Sequence, residues 1–114
     1  MADSIFATLD AALTDSRPVV LATAISGSQV GAKVLLVGGE GPVGVTDRLT
    51  RGWTDPGLEA TVERDAEATL TSGGNAVRRY GDGGRLGDDA HQVFFEAHVP
   101  PPRLVIFGAV DFTA

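Results

Sequence analysis

Glycines and positively charged side chains share one segment of this chain, and that combination suits the binding of an anion. Residues 27–57 contain the only lysine, Lys33, together with Arg48 and Arg51. The segment ends where Asp55 predicts the start of a helix. Backbone amides in turns and at helix N-termini attract negative charge, as cationic side chains do. The segment therefore predicts an anion site, although glycines also serve ordinary hairpin turns.

The two histidines, His91 and His98, stand seven residues apart in one predicted strand. An odd offset puts them on opposite faces of a strand, so they cannot hold one metal ion together. Either can be a catalytic base, and a surface or edge histidine is the commoner alternative. The chain has no cysteine, which excludes disulfides, thiolate metal ligands and thiol nucleophiles. No serine lies in a G-x-S-x-G elbow, so covalent catalysis is not predicted.

Residues 39–44 match the pattern G-x-G-x-x-G of dinucleotide-binding folds. In those folds the last glycine opens a helix whose N-terminal amides hold pyrophosphate. Here residues 42–45 have the composition of a turn and a strand, and no amphipathic helix begins before Asp55. The match predicts a hairpin turn.

Three glutamates, Glu59, Glu63 and Glu67, follow one another at four-residue spacing along the predicted helix. That spacing aligns them as one acidic stripe beside the apolar face. The stripe is either a solvated face or a surface for a basic partner. Glu59 differs from the other two because it stands in the first turn, where the helix dipole favours its charge.

The positions of apolar, turn and capping residues predict a small α+β domain. Helices are expected at residues 4–15 and from the Asp55 N-cap and Pro56 to Gly73. Strands are expected at 19–25, 32–37, 43–45, 76–80 and 92–99, with a polar loop at 47–54. We expect these strands to form a small mixed sheet with two main helices.

The last fifteen residues predict the beginning of a second domain. Three prolines, residues 100–102, are typical of a semi-rigid linker. The apolar run 104–107 that follows, closed by Gly108, is typical of a strand buried on both faces at the start of a βαβ unit. We therefore divide the chain into a domain of residues 1–99 and the linker and first strand, 100–114, of a Rossmann-type domain that continues further. An edge strand of one complete domain is the alternative. An uncovered apolar strand also favours pairing with a second copy, so a homodimer is expected.

Charge and hydropathy restrict the partners. The net charge of −6 opposes binding to nucleic acid. No stretch of the sequence is apolar enough for a membrane span, and the acidic N-terminus does not resemble a signal peptide. We expect a cytoplasmic protein.

Four short segments of the chain stand in the order found in one known family. They are Val20-Leu21-Ala22-Thr23-Ala24 continuing to Gly27-Ser28, then Gly31-Ala32-Lys33, then Gly57-Leu58-Glu59, and last Pro101-Pro102-Arg103-Leu104-Val105-Ile106-Phe107-Gly108-Ala109. In these segments the chain resembles, over essentially its whole length, the N-terminal region of the XdhC/CoxI family. The proteins of that family are accessory factors for molybdenum hydroxylases such as xanthine dehydrogenase and carbon monoxide dehydrogenase. They have an N-terminal α+β domain followed by a Rossmann-type domain.

The resemblance implies that the protein binds molybdenum cofactor (molybdopterin), helps its sulfuration and delivers it to the apoenzyme. It implies a pocket formed by Gly27, Ser28, Gly31, Lys33 and Glu59. In this pocket Lys33 would neutralise phosphate or dithiolene charge, the Gly-Ser turn would offer backbone donors, and Glu59 would accept from pterin N–H groups. The implied partners are a molybdenum hydroxylase apoenzyme and a sulfur donor protein, with a nucleotide in the second domain.

This chain departs from the family at its cysteine. The family's Cys-Gly-Gly segment falls near Asp88-Asp89-Ala90-His91, where this chain has none, so a divergent member is indicated. Two other functions stay open. The domain is either one that docks a molybdoenzyme through the acidic helix without binding cofactor, or the N-terminal part of a nucleotide-dependent oxidoreductase.

Overall fold

The computed structural model describes residues 4–39, 44–85 and 90–99. Two helices, α1 (Ser4–Thr14) and α2 (Pro56–Ser72), accompany five strands, and a short 3-10 turn (Asp82–Gly84) lies between the last two strands. The strands are β1 (Val19–Ser26), β2 (Lys33–Gly38), β3 (Val45–Arg51), β4 (Gly74–Tyr80) and β5 (His91–His98). They form one sheet in the order β3-β2-β1-β5-β4.

The predicted α+β class is confirmed, with two helices and one sheet. Each neighbouring pair of strands is antiparallel, so the sheet is not mixed as predicted. The sequence did not determine the directions of the strands, because an apolar strand has the same composition whether its neighbour in the sheet is parallel or antiparallel. The predicted linker, second-domain strand and dimer contact of residues 100–114 lie outside the described residues.

The central strand β1 is covered by a helix on each face of the sheet. The helix α2 packs over β1, β2 and β5 on one face, called here the α2 face. The helix α1 packs over β1 and β2 on the other, the α1 face. The buried cluster of the α2 face includes Val20, Ala22, Val34, Leu36, Leu58, Val62 and Phe95. The buried cluster of the α1 face consists of Ile5, Ala12, Val19, Leu21, Leu35 and Val37.

The helix α2 begins and ends where the sequence predicted. Asp55 is its N-cap and accepts a hydrogen bond from the Leu58 amide, and Pro56 is at the first helical position. The amide of Gly73, whose φ is +76°, donates to the Thr69 carbonyl and closes the last turn. Within the described residues, neither helix is both long and apolar enough to cross a membrane.

The strand β3 is longer than predicted and includes residues expected in a loop. It pairs with β2 from Val45 to Arg51, with Leu35 opposite Leu49 and Leu36 opposite Arg48. The composition of these residues did not indicate a strand, because an edge strand is largely exposed and tolerates charged residues. Residues 40–43 of the predicted hairpin turn at 39–44 lie outside the described residues. On either side of them β2 and β3 are antiparallel neighbours, and the Gly39 amide donates to the Gly44 carbonyl.

Candidate functional site

The turn between β1 and β2 is fastened to the segment that precedes α2, and Gln29 makes most of the connection. Its Oε1 accepts from the amides of Thr54 at 2.7 Å and Asp55 at 3.3 Å. Its Nε2 donates to the Thr54 hydroxyl at 2.8 Å. Gln29 is buried, and these bonds satisfy its amide group. The turn is therefore held in one position above the N-terminus of α2.

Trp53 makes a second connection to the same turn. Its indole Nε1 donates to the Lys33 carbonyl at 2.9 Å. At Gly52, a Cβ would lie only 3.1 Å from the Cα of Ala32, so the two segments approach closely. Residues 27–33 and 52–55 thus form one rigid end of the domain.

Two glycines of this turn have the same backbone conformation and different surroundings. Gly27 and Gly31 both have a φ of +91°, which favours glycine. A Cβ at Gly31 would meet no atom of the described residues within 4 Å. A Cβ at Gly27 would lie 2.4 Å from His91 Nδ1 and 2.6 Å from the Ala90 carbonyl oxygen. Gly27 is therefore required by both its conformation and its contact with His91, and Gly31 by its conformation alone.

The predicted pocket is not assembled as one cluster, because Lys33 points to the other face of the sheet. Lys33 pairs with Thr23 and Arg51 across its neighbouring strands, and its Nζ lies 5.8 Å from the centre of the Phe6 ring on α1. Side chains alternate along a strand, so Val34 and Leu36 face α2 and Lys33 faces α1. Gly27, Ser28 and Gly31 remain together in the exposed turn.

The acidic stripe of α2 is partly neutralised within the domain. Arg48 of β3 binds Glu63 and Glu67, at 2.6 Å each. Hydrogen bonds to these two carboxylates raise the pKa of Arg48. Glu59 precedes them on the same stripe, so it lies on the flank of α2 that faces β3. Gly57 lies on the opposite flank, where a Cβ would be 2.7 Å from the Gly83 carbonyl oxygen.

The Arg48 pairing leads to a modest expected effect on stability. Arg48→Met is expected to lower the free energy of unfolding by about 1 kcal/mol, because one partly exposed guanidinium bridges two carboxylates. Arg64→Met is the control, since Arg64 is 76% exposed and lies 4.0 Å from the Asp65 carboxylate. Urea unfolding measures both variants. Equal losses would show that the pairing contributes nothing.

The N-terminus of α2 already holds a negative charge of its own. One oxygen of the Asp55 carboxylate accepts from the Leu58 amide at 3.1 Å, and the other accepts from the Gly83 amide at 2.8 Å. These bonds, the Gly83 bond first, hold the pKa of Asp55 below its ordinary value. The Glu59 amide donates to the Asp55 backbone carbonyl. These amide groups of the helix are therefore not available to the predicted anion site, because they already donate hydrogen bonds to Asp55.

The sequence did not predict where His91 lies. The two histidines do lie on opposite faces of β5, but His91 is buried, with 2% of its surface exposed, rather than at the surface. Its Nε2 lies 2.9 Å from an oxygen of Asp82, and its buried Nδ1 has no hydrogen-bond partner among the residues that the structure describes. Ligand atoms of Asp55, Asp82 and His91 all lie within 4.8 Å of one another. The two-residue spacing of His91, Val93 and Phe95 in the sequence could have indicated that His91 is buried. Nothing in the neighbouring sequence indicates that His91 lies close to Asp55 and Asp82.

A cleft of about 290 Å³ lies apart from this turn, between the ends of β2 and β3 and the second half of α2. Its described lining includes Pro18, Gly38, Val45, Glu67 and Leu70, and none of the predicted site residues.

No protein-family model and no curated protein matches this chain. The candidate site accordingly depends on the chain's own geometry and on the resemblance of its segments.

Proposed function

We propose that this chain is an accessory domain of the XdhC/CoxI type, which binds molybdenum cofactor and passes it to a molybdenum hydroxylase apoenzyme. The observation that supports the proposal is the meeting of three resembling segments at one end of the domain. Gly27-Ser28 and Gly31-Ala32-Lys33 belong to a turn that Gln29 and Trp53 fasten to the segment before α2. Gly57-Leu58-Glu59 forms the first turn of that helix. We place this function in the cytoplasm.

The exposed turn suits the flat pterin part of the cofactor better than its charged part. Gly31 has no side chain and no described atom lies within 4 Å of the position that a Cβ would take, so a ring can lie against the turn there. Ser28 adds an exposed hydroxyl. Lys33 faces α1 and Arg48 is bound to two glutamates, so neither is assigned to the phosphate. Glu59 remains a predicted acceptor for pterin N–H groups at the β3 edge of this surface.

A bulky side chain on the turn tests the proposal. Ser28→Tyr is expected to weaken molybdopterin binding by about ten-fold or more, because the ring would cover the proposed surface. Ser72→Tyr makes the same change at the exposed end of α2, and Lys33→Ala removes the cation on the other face. Both are expected to keep the affinity within about two-fold. Fluorescence titration of the 114-residue protein with molybdopterin gives the dissociation constants.

Equal affinity of Ser28→Tyr and Ser72→Tyr would exclude the turn as the cofactor surface. A loss in Lys33→Ala alone would move the site to the α1 face. Circular dichroism melting of each variant checks that the fold is intact.

A second candidate function is docking of the apoenzyme without cofactor. The observation that favours it is an exposed apolar area on the α1 face of the sheet, beside the helix α1. There Val77 of β4 pairs with Phe94 of β5. Phe6, Ile25 and Val77 are each exposed by 45% to 47%. Binding of the apoenzyme that Val77→Asp abolishes, with no binding of molybdopterin, would favour docking over cofactor handling.

A further inference from the structure

We propose that Asp55, Asp82 and His91 form a binding site for a divalent transition-metal ion of the zinc class. The three residues come from different elements: the N-cap of α2, the 3-10 turn and the first residue of β5. One ligand atom from each lies within 4.8 Å of the other two. The inference does not depend on the proposed cofactor function, because its ligands are three side chains outside the 27–33 turn.

The separations suit a metal ion. His91 Nε2 and the Asp82 oxygen are 2.9 Å apart, and two ligands bound to one tetrahedral zinc ion at about 2.1 Å stand about 3.4 Å from each other, so this pair has to open only slightly to admit the ion. The Asp55 carboxylate is fixed by the amides of Leu58 and Gly83, so it is oriented before any ion arrives. Asp82 is 82% exposed, and its side chain can rotate to close the remaining distance. The ion has an entry path on the Asp82 side, while the buried imidazole is a rigid ligand.

The two ring nitrogens of His91 have different surroundings. Buried imidazole nitrogens are normally hydrogen-bonded, and Nδ1 has no partner among the described residues. Nδ1 and the Ala90 carbonyl oxygen both face Gly27. They are the two atoms nearest to the position that a Cβ of Gly27 would take. Nε2 lies on the other side of the ring and faces the Asp82 oxygen, so it is the nitrogen that can bind an ion at this site.

In the tautomer with the proton on Nδ1, the Nε2 lone pair faces the Asp82 carboxylate oxygen at 2.9 Å. Two acceptors at this distance repel each other unless a proton or a cation lies between them. A metal ion bound by Nε2 and Asp82 removes the repulsion. Metal binding therefore stabilises the tautomer that carries its proton on Nδ1.

The donor set selects the class of metal. Imidazole nitrogen favours zinc, cobalt and iron over magnesium and calcium, which prefer oxygen ligands throughout. Three protein ligands with an exposed side leave a position for water, which is the form of an open zinc site. We therefore expect Zn²⁺ and Co²⁺ to bind and Mg²⁺ and Ca²⁺ not to compete.

Titration of the 114-residue protein with Zn²⁺ and Co²⁺ tests the site. We expect one ion per chain by calorimetry and visible absorption bands from bound Co²⁺. Asp82→Asn is expected to weaken binding by about ten-fold or more, because it removes a charged ligand from an exposed position without disturbing the core. Asp10→Asn makes the same change on exposed Asp10 of α1 and is expected to bind as the wild type does.

The two histidines give a second readout by ¹⁵N NMR. Zn²⁺ is expected to shift the ring signals of His91, with the proton on Nδ1 and the metal on Nε2, and to leave those of exposed His98 unchanged. Equal binding by Asp82→Asn and Asp10→Asn, a shift of His98 alone, or displacement of Zn²⁺ by equimolar Mg²⁺ or Ca²⁺ would each overturn the proposal. Ser28→Tyr is expected to keep its zinc affinity, and Asp82→Asn its molybdopterin affinity, so the two proposals can fail separately.

Discussion

Gly27→Ala is expected to lower the free energy of unfolding by about 3 kcal/mol, a large effect for the addition of one methyl group. The new Cβ would lie 2.4 Å from His91 Nδ1 and 2.6 Å from the carbonyl oxygen of Ala90, so the start of β5 must move. The φ of +91° adds backbone strain for any residue with a side chain. Chemical unfolding in urea measures the loss.

Gly31→Ala separates the two causes. Gly31 has the same φ of +91°, but its Cβ would lie more than 4 Å from every atom in the part of the chain that the structure describes. We expect this variant to lose only about 1 kcal/mol, the part due to backbone strain. The difference between the two variants then measures the contact of Gly27 with His91 and Ala90. Similar losses would mean that β5 yields to the methyl group and that this contact does not require glycine.

Asp55→Ala is expected to lower the free energy of unfolding by about 2 kcal/mol at neutral pH. The substitution removes the cap of α2 at the Leu58 amide and the bond that holds Gly83 of the 3-10 turn. Asp55→Asn is the matched control, because asparagine caps helices as well as aspartate does. It is expected to lose about 1 kcal/mol, since its amide group cannot accept from Leu58 and Gly83 as the charged carboxylate does.

The contribution of the Asp55 charge depends on pH in a definite direction. Its pKa is lower in the folded protein than its ordinary value, because the ionised form accepts the Gly83 and Leu58 amides. The unfolded chain takes up the proton near pH 4, at about the ordinary aspartate value, while the folded protein stays ionised. The stabilisation is therefore complete above that pH and is lost as the pH falls through the folded pKa. Thermal melting between pH 7 and pH 2 should show wild type and Asp55→Asn converging at the acid end; a constant difference would contradict this origin.

The sequence itself determined the elements whose signals are local. Asp55, Pro56 and Gly73 specified the two ends of α2, because capping and turn conformations depend on a few neighbouring residues. The period of two along β5 separated His91 from His98 for the same reason. Most of the edge strand β3 was predicted as a loop, because its stabilisation comes from pairing with β2 and from Arg48 bridging to α2, fifteen and more residues away.

Tertiary structure alone decided which of the chemically capable side chains meet. The order of the strands and the crossing of α2 set Lys33 against Phe6 and Arg48 against Glu63 and Glu67, so the predicted cation cluster is divided between two faces. The same topology brings His91 to Asp82 and Asp55, which lie nine and thirty-six positions before it in the chain. Local sequence encodes backbone torsions and the alternation of faces, whereas such meetings depend on the packing free energy of the whole sheet.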